Sequence, residues 1–543
     1  MLRDAEFLIR HIVSKDWKLL WPLVILVAVF QFLLGWLSFR SGYFGSDLAR
    51  ALYPPLNIAW YVGIVALIVA VVHQDAIPGV SQDWLIRPVE RRDLLGAKLL
   101  FVIAAICVPM LVMDLIDANA AGFTVAEAVG PITFKELYVL LTLLIPILAL
   151  ASATENWPQI LVGGAVLIVV YAVCLIGAFI AIGPGRCPTC GTGLRWIQSL
   201  IEHVAVLIGA IVILRLQYFR RRTFWSRSII AAGVLLYTLL QLPWGTAFAL
   251  QQRLAPASPE AANVAIAFDA AVEGTAMAPG RVAGASAARA ARQLLGGDTD
   301  AAATYLRRRA RADAEPITFE LPVRITGVPS DAILIVDRSE IRLLADDGRV
   351  LNDATNPTDS AGLTIAHGSQ ASHQTIELPA EVYRAWSQRL TRLEITYWLT
   401  LFRESATYTM AATSGDLRTP EFGRCQSRLK SDISEINFRC RQQGLGPLCY
   451  VVTLVAPDGR RDPDSPDCSP NYRPFAALWS APLTYFGTDV QVHDATGFVQ
   501  YPIPSSEFAE SHLLVTTYRV RGHLSRSFAT PALRLADWNA QAH

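Results

Sequence analysis

His73–Leu100 reads HQDAIPGVSQDWLIRPVERRDLLGAKLL, and its setting decides the fold. It lies between apolar runs at about 55–73 and 97–116. Each run approaches the roughly 20 residues that a helix needs to cross a hydrocarbon core of ~30 Å. The stretch between them is polar and carries Arg87, Arg91, Arg92 and Lys98, the composition of a loop held on the cytoplasmic side. Asp75 and Pro78-Gly79 form a turn that closes the preceding run. Ser81 is placed to cap a short helix holding Trp84, Leu85 and Ile86, Arg87-Pro88 breaks that helix, and Asp93 is placed to cap the next. The pattern predicts a short amphipathic element lying against the membrane, suited to touching a cytoplasmic partner.

The same arithmetic extends in both directions. Seven runs come near spanning length, at about 19–39, 55–73, 97–116, 136–153, 158–182, 197–216 and 228–249. Residues 1–18 carry Phe7, Leu8, Ile12 and Trp17 among Arg3, Arg10, Lys15 and Lys18, which predicts a cytoplasmic interfacial helix. With the N-terminus inside, inner loops hold thirteen Lys and Arg and outer loops five, Lys135 among the latter. Seven crossings then place everything after Leu250 outside. Apolar residues are 52% of the 543, and mean hydropathy is +0.35, too apolar for an ordinary soluble protein. Pro109 and Pro146 should kink their helices. Asp114 and Asp117 close the third run. They are either an intramembrane polar site or residues of the outer interface. No paired intramembrane charges are expected.

Beyond the spans the periodicity changes. Residues 251–315 are Ala-rich, with helical patterns at about 259–273, 283–296 and 299–312, and read as a helical connector. From 316 to 543 the period is two. Ile317, Phe319, Leu321, Val323 and Ile325 alternate with polar residues, and further strands follow at 332–337, 340–344, 393–401, 433–440, 449–455, 484–492 and 512–520. A short helix fits 380–389. The expectation is a multi-pass α-helical membrane domain of about seven transmembrane helices (19–250), followed by an extracytoplasmic, sandwich-like, all-β domain with a helical connector.

Four cysteines fall in the β-rich part: Cys425, Cys440, Cys449 and Cys468. On an oxidising side they fit two disulfides, with three connectivities open. Cys187 and Cys190 form a C-x-x-C in the loop before the sixth span, open to a disulfide, free thiols or a metal. No metal site is assigned. Cys107 and Cys174 lie within spans as packing residues. No Gly-Lys dipeptide occurs, so the phosphate-binding loop of an ATPase is absent, as are the H-E-x-x-H and G-x-S-x-G signatures. No catalytic constellation emerges, no cofactor is expected in this chain, and nothing points to nucleic acid.

The residues Asp75, Gly79, Trp84-Leu-Ile-Arg-Pro, and Arg91-Arg92-Asp93-Leu-Leu-Gly-Ala-Lys98 are similar to the segment after the second span in permease subunits of type-2 ABC exporters. The resemblance covers about residues 1–250. It implies an elbow helix at the N-terminus, a bacterial inner-membrane location, and a second permease chain in a homo- or heterodimer. It also implies a separate ATPase subunit, which binds the ATP and meets a coupling surface of Asp75, Trp84, Arg87, Pro88, Arg91, Arg92, Asp93 and Lys98. A large outer domain after a seventh span departs from that family's compact six-span pattern. The alternative reading is a membrane-anchored envelope binding or assembly protein whose β-domain carries the function, with another envelope protein as partner.

Overall fold

The computed structural model describes residues 2–44, 47–75, 90–182, 195–239, 244–254, 258–269, 275–277, 317–357, 364–366, 370–378, 380–419, 423–430, 435–439, 448–463, 467–469 and 507–539. Trp84, Arg87, Pro88, Cys187, Cys190 and Cys440 lie outside these residues. So do the helical patterns at 283–296 and 299–312 and the strand at 484–492.

The apolar runs are helices. They comprise α1 (Leu2–Phe44), α2 (Asp47–His73), α3 (Arg91–Val102), α4 (Val108–Ala120), α5 (Val125–Val139), α6 (Ile145–Ser152), α7 (Trp157–Ile182), α8 (Arg195–Arg215), α9 (Thr223–Leu239) and α10 (Trp244–Leu254). Among the described residues five helices are long and apolar enough to cross a membrane: Phe7–Leu37, Ala51–His73, Arg91–Ala120, Val125–Ser152 and Trp196–Arg220. The protein is therefore membrane-embedded. The interfacial helix expected over 1–18 is not a separate element, because α1 runs through Trp17 and Lys18 without a break. Asp93 is not a cap either. Glu90 holds the N-cap position of α3, and Asp93 sits in the first turn, where its charge complements the helix dipole.

Both predicted prolines follow a π-helical turn. Ile103–Cys107 precedes Pro109, and Leu140–Leu144 precedes Pro146. A proline ring removes one ladder hydrogen bond and crowds the carbonyl four residues back, and a wider turn relieves both effects. The helices pack around Trp60, Ile64 and Leu67 of α2, Phe101 of α3, Leu148 of α6 and Ile213 of α8. Ile58, Val62, Val166, Ile208 and Ile211 face outward, as a lipid-facing surface allows.

The β-rich part begins earlier than the sequence suggests. Within 259–273, where a helix was predicted, α11 (Pro259–Ala262) is one short turn and β1 (Ala265–Phe268) follows. The remaining elements are β2 (Thr275–Met277), β3 (Ile317–Thr326), β4 (Ala332–Ala345), β5 (Val350–Pro357), β6 (Thr364–Ala366), β7 (Gln370–Leu378), α12 (Ala380–Trp386), β8 (Leu390–Ala411), β9 (Asp416–Thr419), β10 (Gly423–Lys430), β11 (Glu435–Arg439), β12 (Leu448–Val455), β13 (Arg461–Pro463), β14 (Asp467–Ser469), β15 (His512–Ala529) and β16 (Leu533–Arg534). The main sheet runs β13-β12-β15-β8-β4-β5, antiparallel throughout. A sheet of β1, β3, β2 and β7 covers one end of it. There Leu321, Val323 and Ile376 pack on Leu334, Ile341, Leu393 and Leu399. The smaller β11-β10-β9 sheet covers the other end through Cys425, Ile436 and Phe438 against Tyr450, Val452 and Val515. The two expected strands 332–337 and 340–344 are one strand, β4, with a bulge between Val336 and Arg338.

Among the described residues the β-domain meets the helices in two places. Trp244 of α10 lies edge-on to Trp398 of β8 at 4.7 Å between ring centroids, and Arg338 of β4 stacks over Trp244 at 4.8 Å. Elsewhere the turn joining α4 to α5 receives β9 and β10. The Arg424 backbone N–H donates to the Ala121 carbonyl at 2.7 Å, and Arg418 pairs with Glu127 at 3.4 Å. Glu127 also closes a capping box with Thr124 that starts α5. Gly423 makes this approach feasible: its φ is +59°, and a Cβ there would lie 2.4 Å from the Ala121 carbonyl oxygen. Gly423→Val is expected to part the two surfaces and cost about 1–3 kcal/mol. Limited proteolysis should then cut the β10 region several-fold faster, while the helices stay protected.

Candidate functional site

The face bearing the ends of α2, α3 and α8 is built around one buried ammonium. Lys98 sits two turns into α3 and is only 1% exposed. Its Nζ donates to Asp16 Oδ2 of α1 at 2.8 Å and to Asp75 Oδ2, just past α2, at 2.5 Å. Lys15 adds a bond to Asp75 Oδ1 at 2.9 Å from a half-exposed position. The charges balance, two Lys against two Asp, which makes burial tolerable. Burial pushes the Asp75 carboxyl up, but Lys98 and Lys15 outweigh it and hold it below the usual carboxylate range. Tyr218, in the π-helical turn Leu216–Arg220 that follows α8, is buried beside both carboxylates.

Around this core the same face is tied by single bonds. Arg91 Nη1 donates to the Phe219 carbonyl at 3.4 Å. His73 Nε2 lies 3.1 Å from Thr154 Oγ1, and the Arg227 Nε donates to the Ala153 carbonyl at 3.3 Å. Arg92, largely exposed, pairs with Glu90 at 2.5 Å. The residues expected to form one partner-facing surface therefore divide. Arg92 faces outward, and Arg91 and Asp93 are half-buried at the start of α3. Asp75 and Lys98 turn inward and clamp α1, α2 and α3 together. Lys98 has no surface to offer a partner, because the Asp16 carboxylate draws it inside. Asp16 was not singled out from the sequence, although it is a charge on a helical face otherwise occupied by Ile12 and apolar residues.

A second charged group lies within the spans, toward the other face. Lys135 Nζ of α5 donates to both oxygens of Asp114 of α4, at 2.6 and 2.5 Å, and both side chains are almost fully buried. Asp117 is 5% exposed, one turn on. This corrects two expectations. One buried charge pair, Lys135 with Asp114, does lie within the spanning helices, and Lys135 belongs to a helix interior rather than an outer loop. The partners lie on different helices, 21 positions apart, where a scan of single runs does not join them.

A third polar group joins the helices to the β-domain. Asp337 occupies the β4 bulge, Thr400 lies on β8, and His523 stands opposite Thr400 on β15. All three are buried, with Gln251 of α10. Thr400 Oγ1 donates to Asp337 Oδ2 at 2.6 Å, so its contact with His523 Nδ1 at 2.8 Å requires the Nδ1–H to donate. The free Nε2 then accepts from Gln251 Nε2 at 2.7 Å. Desolvation pushes the Asp337 carboxyl up to about 7 and the His523 imidazole down to about 4. The Asp-Thr-His order resembles a nucleophilic relay, but its members are enclosed, and the group works as a junction. Among the described residues no group of three or more His, Cys, Asp or Glu is arranged to hold a metal.

No protein-family model and no curated protein matches the chain.

Proposed function

We propose that the chain is the membrane-spanning subunit of a transporter, a permease of the ABC exporter type, energised through the 74–98 segment by a separate ATPase. The observation that carries this reading is the set of buried ion pairs within the helices. Burying Lys98 with Asp16, or Lys135 with Asp114, brings a desolvation cost that a passive anchor has no need to bear. Helices that must shift against one another have a use for discrete, switchable charge contacts. Arg92, with Arg87 and Arg91 nearby in sequence, supplies the guanidinium groups that pair with carboxylates on a partner.

In this reading the helices cross seven times, with α7 and α9 as the further spans. The packing of α9 against α7 and α8 supports it. The β-domain then lies outside, on the oxidising side of a bacterial inner membrane, and two permease copies enclose the path. The sheet register favours one disulfide connectivity. Cys449 stands directly opposite Cys468, and Cys440 follows Arg439, the partner of Gln426, which itself follows Cys425. Cys425 and Cys449 are both buried. Peptide mapping without reductant should recover Cys449–Cys468 and Cys425–Cys440; any crossed pair overturns the assignment. The size of the β-domain and its two attachments favour the second reading, an envelope-binding protein that uses the helices as a platform.

Co-purification separates them. The tagged chain, extracted in mild detergent from its own membrane, should bring down a nucleotide-hydrolysing subunit, reduced at least tenfold by Arg87→Glu with Arg92→Glu. Recovery of an envelope protein alone, or an ATPase indifferent to charge reversal, would reject the permease reading.

A further inference from the structure

The Lys135–Asp114 pair leaves a neighbouring acid unaccounted for. Glu136 follows Lys135 on α5 and is 9% exposed, yet neither carboxylate oxygen has a partner in hydrogen-bonding geometry. The charges of Lys135 and Asp114 both act on it, and its carboxyl lies within reach of the Asp114 carboxyl. Among the described residues, Cys107 on the π turn before α4 is acted on by the Glu136 charge, and Asp117, one turn beyond Asp114 on α4, is also buried. One turn along α5, the Tyr138 hydroxyl lies 2.7 Å from His203 Nδ1 of α8. From α1, Gly35 lies against Met113.

The charges do not balance as they do around Lys98. With all three groups ionised, Asp114, Lys135 and Glu136 carry one uncompensated negative charge in a low-dielectric interior. Lys135 is already committed to both Asp114 oxygens. Two adjacent carboxylates in such a place do not both stay ionised; a proton on one becomes a hydrogen bond to the other. A cation heavier than a proton would need several oxygen ligands and would have to coexist with the ammonium.

We propose that Glu136 is an intramembrane proton site: it binds one exchangeable proton, shared with Asp114, while Lys135 is the fixed counter-cation. Uptake converts the Glu136 carboxylate to a carboxyl whose O–H donates to Asp114; release restores the repulsion and favours separation of α4 from α5. Asp114 lies six residues before the end of α4, a rise of about 9 Å, so exchange occurs through the face carrying the β-domain. The site does not depend on an ATPase partner, and its test stands or falls separately from the permease reading.

Dicyclohexylcarbodiimide provides the probe. This apolar reagent adds the O–H of a protonated carboxyl across a C=N bond, without redox change, and leaves a stable acylurea after rearrangement. The full-length chain in lipid nanodiscs should be labelled at Glu136, located by peptide mass spectrometry. Labelling should fall roughly tenfold per pH unit on the alkaline limb. Glu136→Gln, isosteric and neutral, should lose the label and remain monodisperse. Lys135→Met removes the counter-cation, and should move the alkaline limb to higher pH. If that variant does not fold, the pH series and Glu136→Gln still decide. An unlabelled Glu136 at every pH in folded protein, labelling that ignores pH, or protection by sodium at constant pH would overturn the proposal.

Discussion

Lys98→Met should destabilise the membrane domain by about 3–5 kcal/mol, the cost of leaving a buried charge without its partner. The mechanism is local. Asp16 is fully buried, and its remaining cation, Lys15, is 3.6 Å away and half-exposed. Lys15→Ala should therefore cost under about 1 kcal/mol, as exposed pairs do. The decisive comparison is the double variant Asp16→Asn with Lys98→Met, which removes both members of the inner pair. It should recover most of the loss, because a neutral site has no orphaned charge. The unfolding midpoint in detergent micelles reads all three. A Lys98→Met chain as stable as the parent would mean that the buried clamp holds nothing. The same clamp has a pH limit. Asp75 is held below the usual carboxylate range, so its contribution is present above about pH 4 and is lost as pH falls further.

Stability between about pH 4 and 6.5 should be nearly flat in the parent chain and sloped in two single variants. The cause is the opposed titration of Asp337 and His523. Asp337 binds its proton more tightly in the folded chain, so its contribution declines as pH climbs from about 4 to about 7, by about 4 kcal/mol in all. His523 binds its proton less tightly when folded. Its contribution is complete above 6.5 and is lost as pH falls to about 4, by about 3 kcal/mol. Over the shared window the slopes cancel. His523→Gln should expose the decline alone, and Asp337→Asn the rise alone, with Asn still accepting from Thr400. Thermal midpoints of the full chain across pH 4–8 measure this. Parallel flat profiles in both variants would show that the two groups do not titrate against each other.

What the sequence revealed, it revealed through periodicity. Spanning runs and alternating strands are local patterns, and the strand at Ile317–Ile325 can be read directly. Contacts between distant segments could not. Lys98 is one of four basic residues in a polar loop by sequence, and only the fold brings Asp16, 82 positions away, to its ammonium. By sequence Lys135 falls just before a run that starts near 136 and so counts as a loop charge, yet α5 begins at Val125 and encloses it. His523 stood in an alternating strand without distinction until the bulge in β4 turned Asp337 toward Thr400. The short strand β1 has a helical pattern by sequence because Ala-rich sequence favours helix locally; pairing with β3 overrides that preference.

The two attachments of the β-domain carry a mechanical consequence. β8 alone has 22 residues, on the order of 70 Å of extended chain, and it is hydrogen-bonded on both sides along much of that length. Such a sheet resists stretching, and it is fastened to α10 through Trp398 and to the α4–α5 turn through the smaller sheet of β9 and β10 that packs on it. It is thus a cross-brace between two parts of the helical bundle. If those parts move relative to each other, the brace must let go at one end. The aromatic stack of Trp244, Trp398 and Arg338 is the broader joint. The Ala121 carbonyl and the Arg418–Glu127 pair are the narrower one, and they set the load at which the bundle is free to change shape.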